Sequence, residues 1–195
     1  SLTKARENKF TIDWATHTPS TPKTLGVHAI ECTVETLRDY IDWTPFFQTW
    51  ELAGRYPNIL KDEVVGKEAT RLFADAKKLL HSIVEENWLT ANGVIGIWPA
   101  NTKGDDIEIY TDDSRKEVLD VVHTLRQQTK KAKGAHNMAL SDFIAPKETG
   151  IADYFGGFAV TTGIGIDERV ARFEADHDDY NSIMLKALAD RLAEA

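Results

Sequence analysis

The segment 63–86 places the tightest limit on how this chain can fold. Val65, Ala69, Leu72, Phe73, Ala76, Leu79, Leu80 and Ile83 recur at spacings of three and four, the period of one apolar helix face. Such a face needs a second layer to cover it, so the rest of the chain must supply one. Gly93 opens GVIGIWPAN, an apolar run that reads as a buried strand ended by Pro99. After Lys103-Gly104-Asp105, DIEIY alternates apolar and polar residues, with Ile107 and Ile109 on one side. These two runs are close enough to form a hairpin. YFGGFAVT, from Tyr154 to Thr161, predicts a third strand, and residues 25–33 a short one. Residues 34–41 predict a short helix. Pro45 suits the first turn of another, with Asp42 or Thr44 as its cap. Val118, Val122, Leu125 and Thr129 predict a helix over 115–131, running out in the Lys-rich stretch before Gly134. A last helix is expected from about Asp167 to the chain end, with Val170, Phe173, His177, Tyr180, Met184 and Leu188 as its apolar stripe. Helices on a small antiparallel or mixed sheet make an α+β domain.

Composition narrows the function classes. The 195 residues suffice for one large domain or two small ones. The balance of 23 basic and 31 acidic residues gives −8, which argues against a nucleic-acid ligand and against an anchor on anionic lipid. Net charge does not speak to local basic patches. Cys32 is the single cysteine, so no intrachain disulfide or Cys-rich zinc site can form. That fits a reducing compartment and a cytoplasmic location. SLTKARENKF has no apolar core of a signal peptide, and no stretch approaches the roughly 18 apolar residues of a membrane span. The chain starts without Met and ends in LADRLAEA, in mid-helix pattern, so it is expected to be a piece of something longer. Residues 1–24, with the irregular ATHTPSTPKT, read as an N-terminal arm or linker.

Several residues carry two readings each. Asp42 sits among Trp43, Phe46, Phe47 and Trp50. It is either a helix N-cap or a carboxylate awaiting a cationic ligand, with ring faces suited to a sulfonium or ammonium group. Asp176, Asp179, Asp190 and Glu194 fall on one side of the predicted last helix, as a solvated acidic face or a shared site for a cation or an imidazole. The DHDDY run, Asp176 to Tyr180, lacks the convergent geometry of a metal site. The six histidines show no HxxxH or HExxH spacing. Gly163-Ile164-Gly165 is half of a dinucleotide fingerprint without its third glycine, and reads as a strand-to-helix turn.

Longer motifs go further. DYIDWTPFFQTWELAGRYP, DEVVGKEA, PANTKGDDIEIY, LRQQ, LSDFIAPK, DYFGGFAVT and HDDYNSIMLKALADRLAEA together resemble the C-terminal activation domain of cobalamin-dependent methionine synthase, from about residue 25 to the end. The resemblance implies a C-shaped α+β domain around a twisted antiparallel sheet with flanking helices, spanning residues 25–195 and lacking its C-terminal part. It implies binding of S-adenosylmethionine, and docking on the cobalamin-binding domain of the same polypeptide. It also implies an electron from flavodoxin or a related flavoprotein reductase, so that inactive cob(II)alamin is remethylated. Homocysteine, zinc and folate belong to other modules of such an enzyme.

By the same resemblance, Asp42 matches the aspartate of the DWTPFF motif, which contacts S-adenosylmethionine, and Glu194 an acidic residue close to the same ligand. A carboxylate complements the sulfonium and the α-ammonium of that ligand. Asp190 matches a carboxylate that receives the histidine released from cobalt, a switch contact and not bond chemistry. The family's second partner for that histidine is a glutamate. Ile166 stands in its place, with Asp167 and Glu168 just after it, so that either of these carboxylates substitutes or the contact is missing. The family also continues into an Arg-containing RxxxGYP-type segment that supplies much of the ligand pocket. Without it, this chain is expected to bind S-adenosylmethionine weakly or not at all. No residue is expected to be a catalytic acid or base, and no metal ligand is expected. The alternative is a non-catalytic docking module that recognises the cobalamin domain and a flavodoxin-type reductase.

Overall fold

The computed structural model describes residues 1–195. Its helices are α1 (Leu2–Glu7), α2 (Val34–Arg38), α3 (Trp43–Thr49), α4 (Gly66–Glu85), α5 (Ile166–Ala175) and α6 (Asp179–Ala193). Its strands are β1 (Gly26–Ile30), β2 (Thr90–Lys103), β3 (Asp106–Tyr110), β4 (Val118–His123) and β5 (Asp153–Ile164). The sheet order is β1-β2-β3-β4, and β5 also pairs with β2. The expected hairpin is present: β2 and β3 run antiparallel from Ala100↔Ile109 to Lys103↔Asp106. Gly104 turns the corner at φ 69°, a conformation that side chains with a Cβ resist. The architecture is the α+β class that the sequence predicts.

The chain divides into two compact units, one of residues 1–28 and 95–158, the other of 29–94 and 159–195. In the second unit the α4 stripe is realised: Ala69, Leu72, Ala76, Leu80 and Ile83 are buried. They share a core with Phe46, Phe47, Met184, Leu185, Leu188 and Leu192. Asp62 Oδ1 accepts the N–H groups of Val64 and Val65 at 2.9 and 3.0 Å, just ahead of α4. In the first unit the interior is more polar. Asn101, Glu108, Thr124, Arg126, Asn137 and Ser141 are buried beside Ile107, Tyr110 and Ala145.

Three expectations are corrected. Residues 115–131 are not a helix. Val118–His123 pair antiparallel with β3, Asp106↔His123 to Tyr110↔Val118, and the chain from Thr124 to Ala139 is irregular. The spacing of Val118, Val122 and Leu125 fits a helix, but β-branched Val118, Val121 and Val122 suit a strand, and the open edge of β3 decides the matter. Pro99 does not end the strand; β2 continues to Lys103. Pro99 stands one residue outside the ladder with β3, which starts at Ala100, so its missing N–H breaks no bond of that ladder. The last helix is two helices. His177 adopts φ 56°, and Asp178 caps α6 by accepting Asn181 N–H at 3.0 Å. His177 is therefore exposed on the corner and not part of an apolar stripe.

Candidate functional site

The acidic residues expected from the sequence lie at the ends of three helices of the second unit. α3 starts where Asp42 is still extended, at φ −76° and ψ 111°. Its Oδ1 accepts the Thr44 N–H at 2.9 Å, which satisfies one of the orphan donors of the first turn. Asp42 is thus the cap, while Thr44 Oγ1 accepts the Tyr56 N–H at 3.2 Å. Asp42 is exposed and its Oδ2 accepts no protein donor. The rings beside it in sequence are core: Phe46 and Phe47 are 0% exposed, so neither offers a face to a cation. Trp43 is half-buried, edge-on to Phe46 at 5.4 Å and to Phe73 at 4.8 Å.

α6 packs against α3, α4 and α5. Its apolar side carries Met184, Leu185, Leu188 and Leu192, and its other side presents Asp190 and Glu194. Between them lies Arg191, whose side chain is only 8% exposed. Its Nη2 donates to Asp190 Oδ2 at 2.6 Å and its Nη1 to Glu194 Oε2 at 2.7 Å. Burial opposes the charge of Arg191, yet the two carboxylates outweigh it and raise its pKa. The carboxylates themselves stay open, with 68% and 64% of their side chains exposed. A buried cation thus holds two accessible carboxylates in fixed positions. Nothing in the amphipathic pattern marks Arg191, although its i−1 and i+3 acidic neighbours were readable as pairs.

Beside this edge, Ile30, Leu37, Ala91, Val160, Leu192 and Ala195 line a mostly apolar cleft of about 250 Å³. Thr162 Oγ1 donates to the Ala189 carbonyl, which ties β5 to α6 under the cleft. Asp167 is exposed in the first turn of α5, where the helix dipole favours a negative charge. It forms no ion pair, whereas Glu168 pairs with Arg172. Arg191 therefore links Asp190 and Glu194 directly. Asp42 and Asp167 stand on neighbouring helices with no bond to them.

The expected single acidic face is broken by the corner at His177. Asp176 closes α5 and Asp179 opens α6, so they do not share a helix face with Asp190 and Glu194. No group of three or more His, Cys, Asp or Glu side chains converges to hold a metal. No helix is long and apolar enough to cross a membrane.

A solved protein shares this fold. A crystal structure of the MetH reactivation domain bound to AdoHcy matches all of this chain with a TM-score of 0.92 and 57% sequence identity. The match covers 100% of this chain and 59% of that one, so the chain spans about three-fifths of that domain's length. Residues 33–195 match the family of the vitamin B12 dependent methionine synthase activation domain. The chain belongs to that family.

Proposed function

We propose that this chain is part of a methionine synthase activation domain, and that the intact domain binds S-adenosylmethionine for reductive remethylation of cobalamin. The observation that carries this reading is the 57% identical structure, which holds AdoHcy on a fold with a TM-score of 0.92 to this one. The residues present suit the group: free or exposed carboxylate oxygens at Asp42 and Glu194 complement a sulfonium and an α-ammonium, and an apolar cleft adjoins Glu194. Cobalamin, held by the neighbouring domain of the same polypeptide, would supply the metal that takes up an electron and then the methyl group. The side chains here bind, orient and neutralise. Asp42 and Glu194 face the ligand. Asp190 and Asp167 receive a displaced, protonated histidine. The electron donor is flavodoxin or a related flavoprotein, and the whole enzyme is a cytoplasmic methyltransferase of methionine biosynthesis.

Asp42→Asn is the decisive substitution, because asparagine caps a helix as well as aspartate does while removing the charge. We expect about tenfold weaker S-adenosylmethionine binding, the scale of one lost charged contact. It is measured by calorimetric titration of an intact methionine synthase carrying this sequence as its activation domain. Thermal stability and docking to the cobalamin domain should hold. Unchanged ligand affinity would remove Asp42 from the site and favour the docking-module alternative.

A further inference from the structure

Arg191 brings α6 little stability for the cost of its burial. It is the one charged residue among the buried positions of that helix, where Met184, Leu185, Leu188 and Leu192 fill the core. Taking a guanidinium out of water is costly, and partners that stay in solvent repay little of it. Its only acceptors are such partners: Asp190 and Glu194 keep 68% and 64% of their side chains exposed. The buried Arg126 differs, because its acceptors Asp105 and Asp142 are themselves buried, at 14% and 4%. An apolar side chain of similar length at position 191 would pack as well without the desolvation cost. The guanidinium is therefore explained by what it does to its two neighbours.

Asp190 lies in the last turn of α6 and Glu194 is its C-cap, where the helix dipole disfavours negative charge. Like charges at this spacing also repel. Without a cation between them, the two carboxylates would turn apart into water. Arg191 draws them together, and it takes one oxygen of each. It donates to Oδ2 of Asp190 and to Oε2 of Glu194, whereas Oδ1 and Oε1 accept no protein donor. Each carboxylate thus keeps one oxygen on the guanidinium and has the other free. The base is fixed as well: Thr162 Oγ1 donates to the carbonyl of Ala189, one residue before Asp190. One guanidinium against two carboxylates leaves the group with an excess negative charge, so a cation meeting either free oxygen is still attracted.

We propose that Arg191 is a positioning residue shared by two events of activation: it presents Glu194 to the cationic end of S-adenosylmethionine and Asp190 to the displaced histidine. This rests on the function proposed above. With 8% of its side chain exposed, Arg191 itself meets neither. It holds two flexible acidic side chains in place, so their ordering entropy is lost on folding and not on binding. A planar fork with two parallel donors suits this task better than the point charge of an ammonium. One substitution at a residue that meets no ligand should then impair both events.

The test uses an intact methionine synthase carrying this sequence as its activation domain, with two readouts. One is the Kd for S-adenosylmethionine by calorimetry. The other is the share of cob(II)alamin whose histidine has left cobalt, read by visible absorption without S-adenosylmethionine. Arg191→Met should raise the Kd about fivefold and lower the histidine-off share by a similar factor. The urea midpoint of the domain should hold, because the carboxylates this substitution frees are already solvated. Arg191→Lys should lose part of both, and is the second route where the methionine variant fails to fold. Double substitutions separate positioning from damage. On a Glu194→Gln background Arg191→Met should add nothing to the Kd, and on an Asp190→Asn background nothing to the histidine-off share. Additive effects on those backgrounds, a change in one readout alone, or no change in either overturns the shared role. So do losses that appear only together with a lowered urea midpoint. An unsubstituted protein that fails to bind S-adenosylmethionine would instead overturn the proposed function.

Discussion

The two units solve the problem of a stable interior in opposite ways. In the unit of residues 29–94 and 159–195, Phe46, Phe47, Ile83, Met184, Leu185 and Leu188 are all 0% exposed. They need only shape from their neighbours. In the unit of residues 1–28 and 95–158, the guanidinium of Arg126 is fully buried and held by Asp105 at 2.7 Å and Asp142 at 2.6 Å. Asn101 Nδ2 donates to the carbonyls of Ala145 and Ile151, and Glu108 accepts from Lys147 at 2.6 Å and Tyr110 at 3.1 Å. Apolar packing tolerates imperfect geometry and is indifferent to pH. A buried polar network does neither, because each unpaired member costs its full desolvation. Irregular chain such as residues 124–139 can thus be as well determined as helix, provided buried side chains take over the hydrogen bonds that a ladder would otherwise make.

The largest expected effect tests that contrast directly. Arg126→Met should destabilise the protein by about 3–5 kcal/mol, since it strands buried carboxylates, as read from urea unfolding. A loss below about 1 kcal/mol would show that the network is replaceable by packing. In the other unit, Leu188→Ala should cost about 2–5 kcal/mol for a cavity in a closed core. That loss should be the same at pH 4 and pH 8, because no titrating group is involved. A pH-dependent loss would erase the distinction between the units.

The smallest effect is the acid response of the polar unit. Burial favours the neutral acid at Asp105, but Arg126 and Arg6 outweigh it and hold its pKa below the usual carboxylate range. The Lys147 hydrogen bond lowers Glu108 in the same direction. A carboxyl depressed in the folded state adds stability above its unfolded pKa of about 4. That stability is lost as pH falls from about 4 through the lower folded value. Amide protection factors should therefore fall in β3, β4 and the 124–139 loop before they do in α4 and α6 as pH is lowered below 4. Asp105→Asn should flatten that response. A simultaneous fall in both units would contradict it.

Legibility in the sequence follows the same division. The α4 stripe, the β2–β3 hairpin and the cap at Asp42 were readable, because periodicity and turn chemistry are local. The helix expected over 115–131 failed for a non-local reason: β3 offered an unpaired edge, and Val118, Val121 and Val122 took it. The break at His177 was hidden because an apolar stripe runs on across a corner of three residues almost in register. Of the four acidic positions proposed for the site, the pattern showed Asp190 and Glu194 as neighbours. It did not show that a buried Arg191 fixes both, nor that the rings around Asp42 turn inward.

The residues alone thus set the helical periods, the hairpin turn at Gly104, the acidic character of the chain and the motifs of its family, all of which depend on neighbours within a few positions. The tertiary structure alone decided which strand edge was filled, which charges were buried with partners, and which carboxylates were left to solvent. Those outcomes depend on desolvation and pairing between groups far apart in the chain, such as Arg126 with Asp105 and Asp142, and such energies exist only once the fold has brought the groups together.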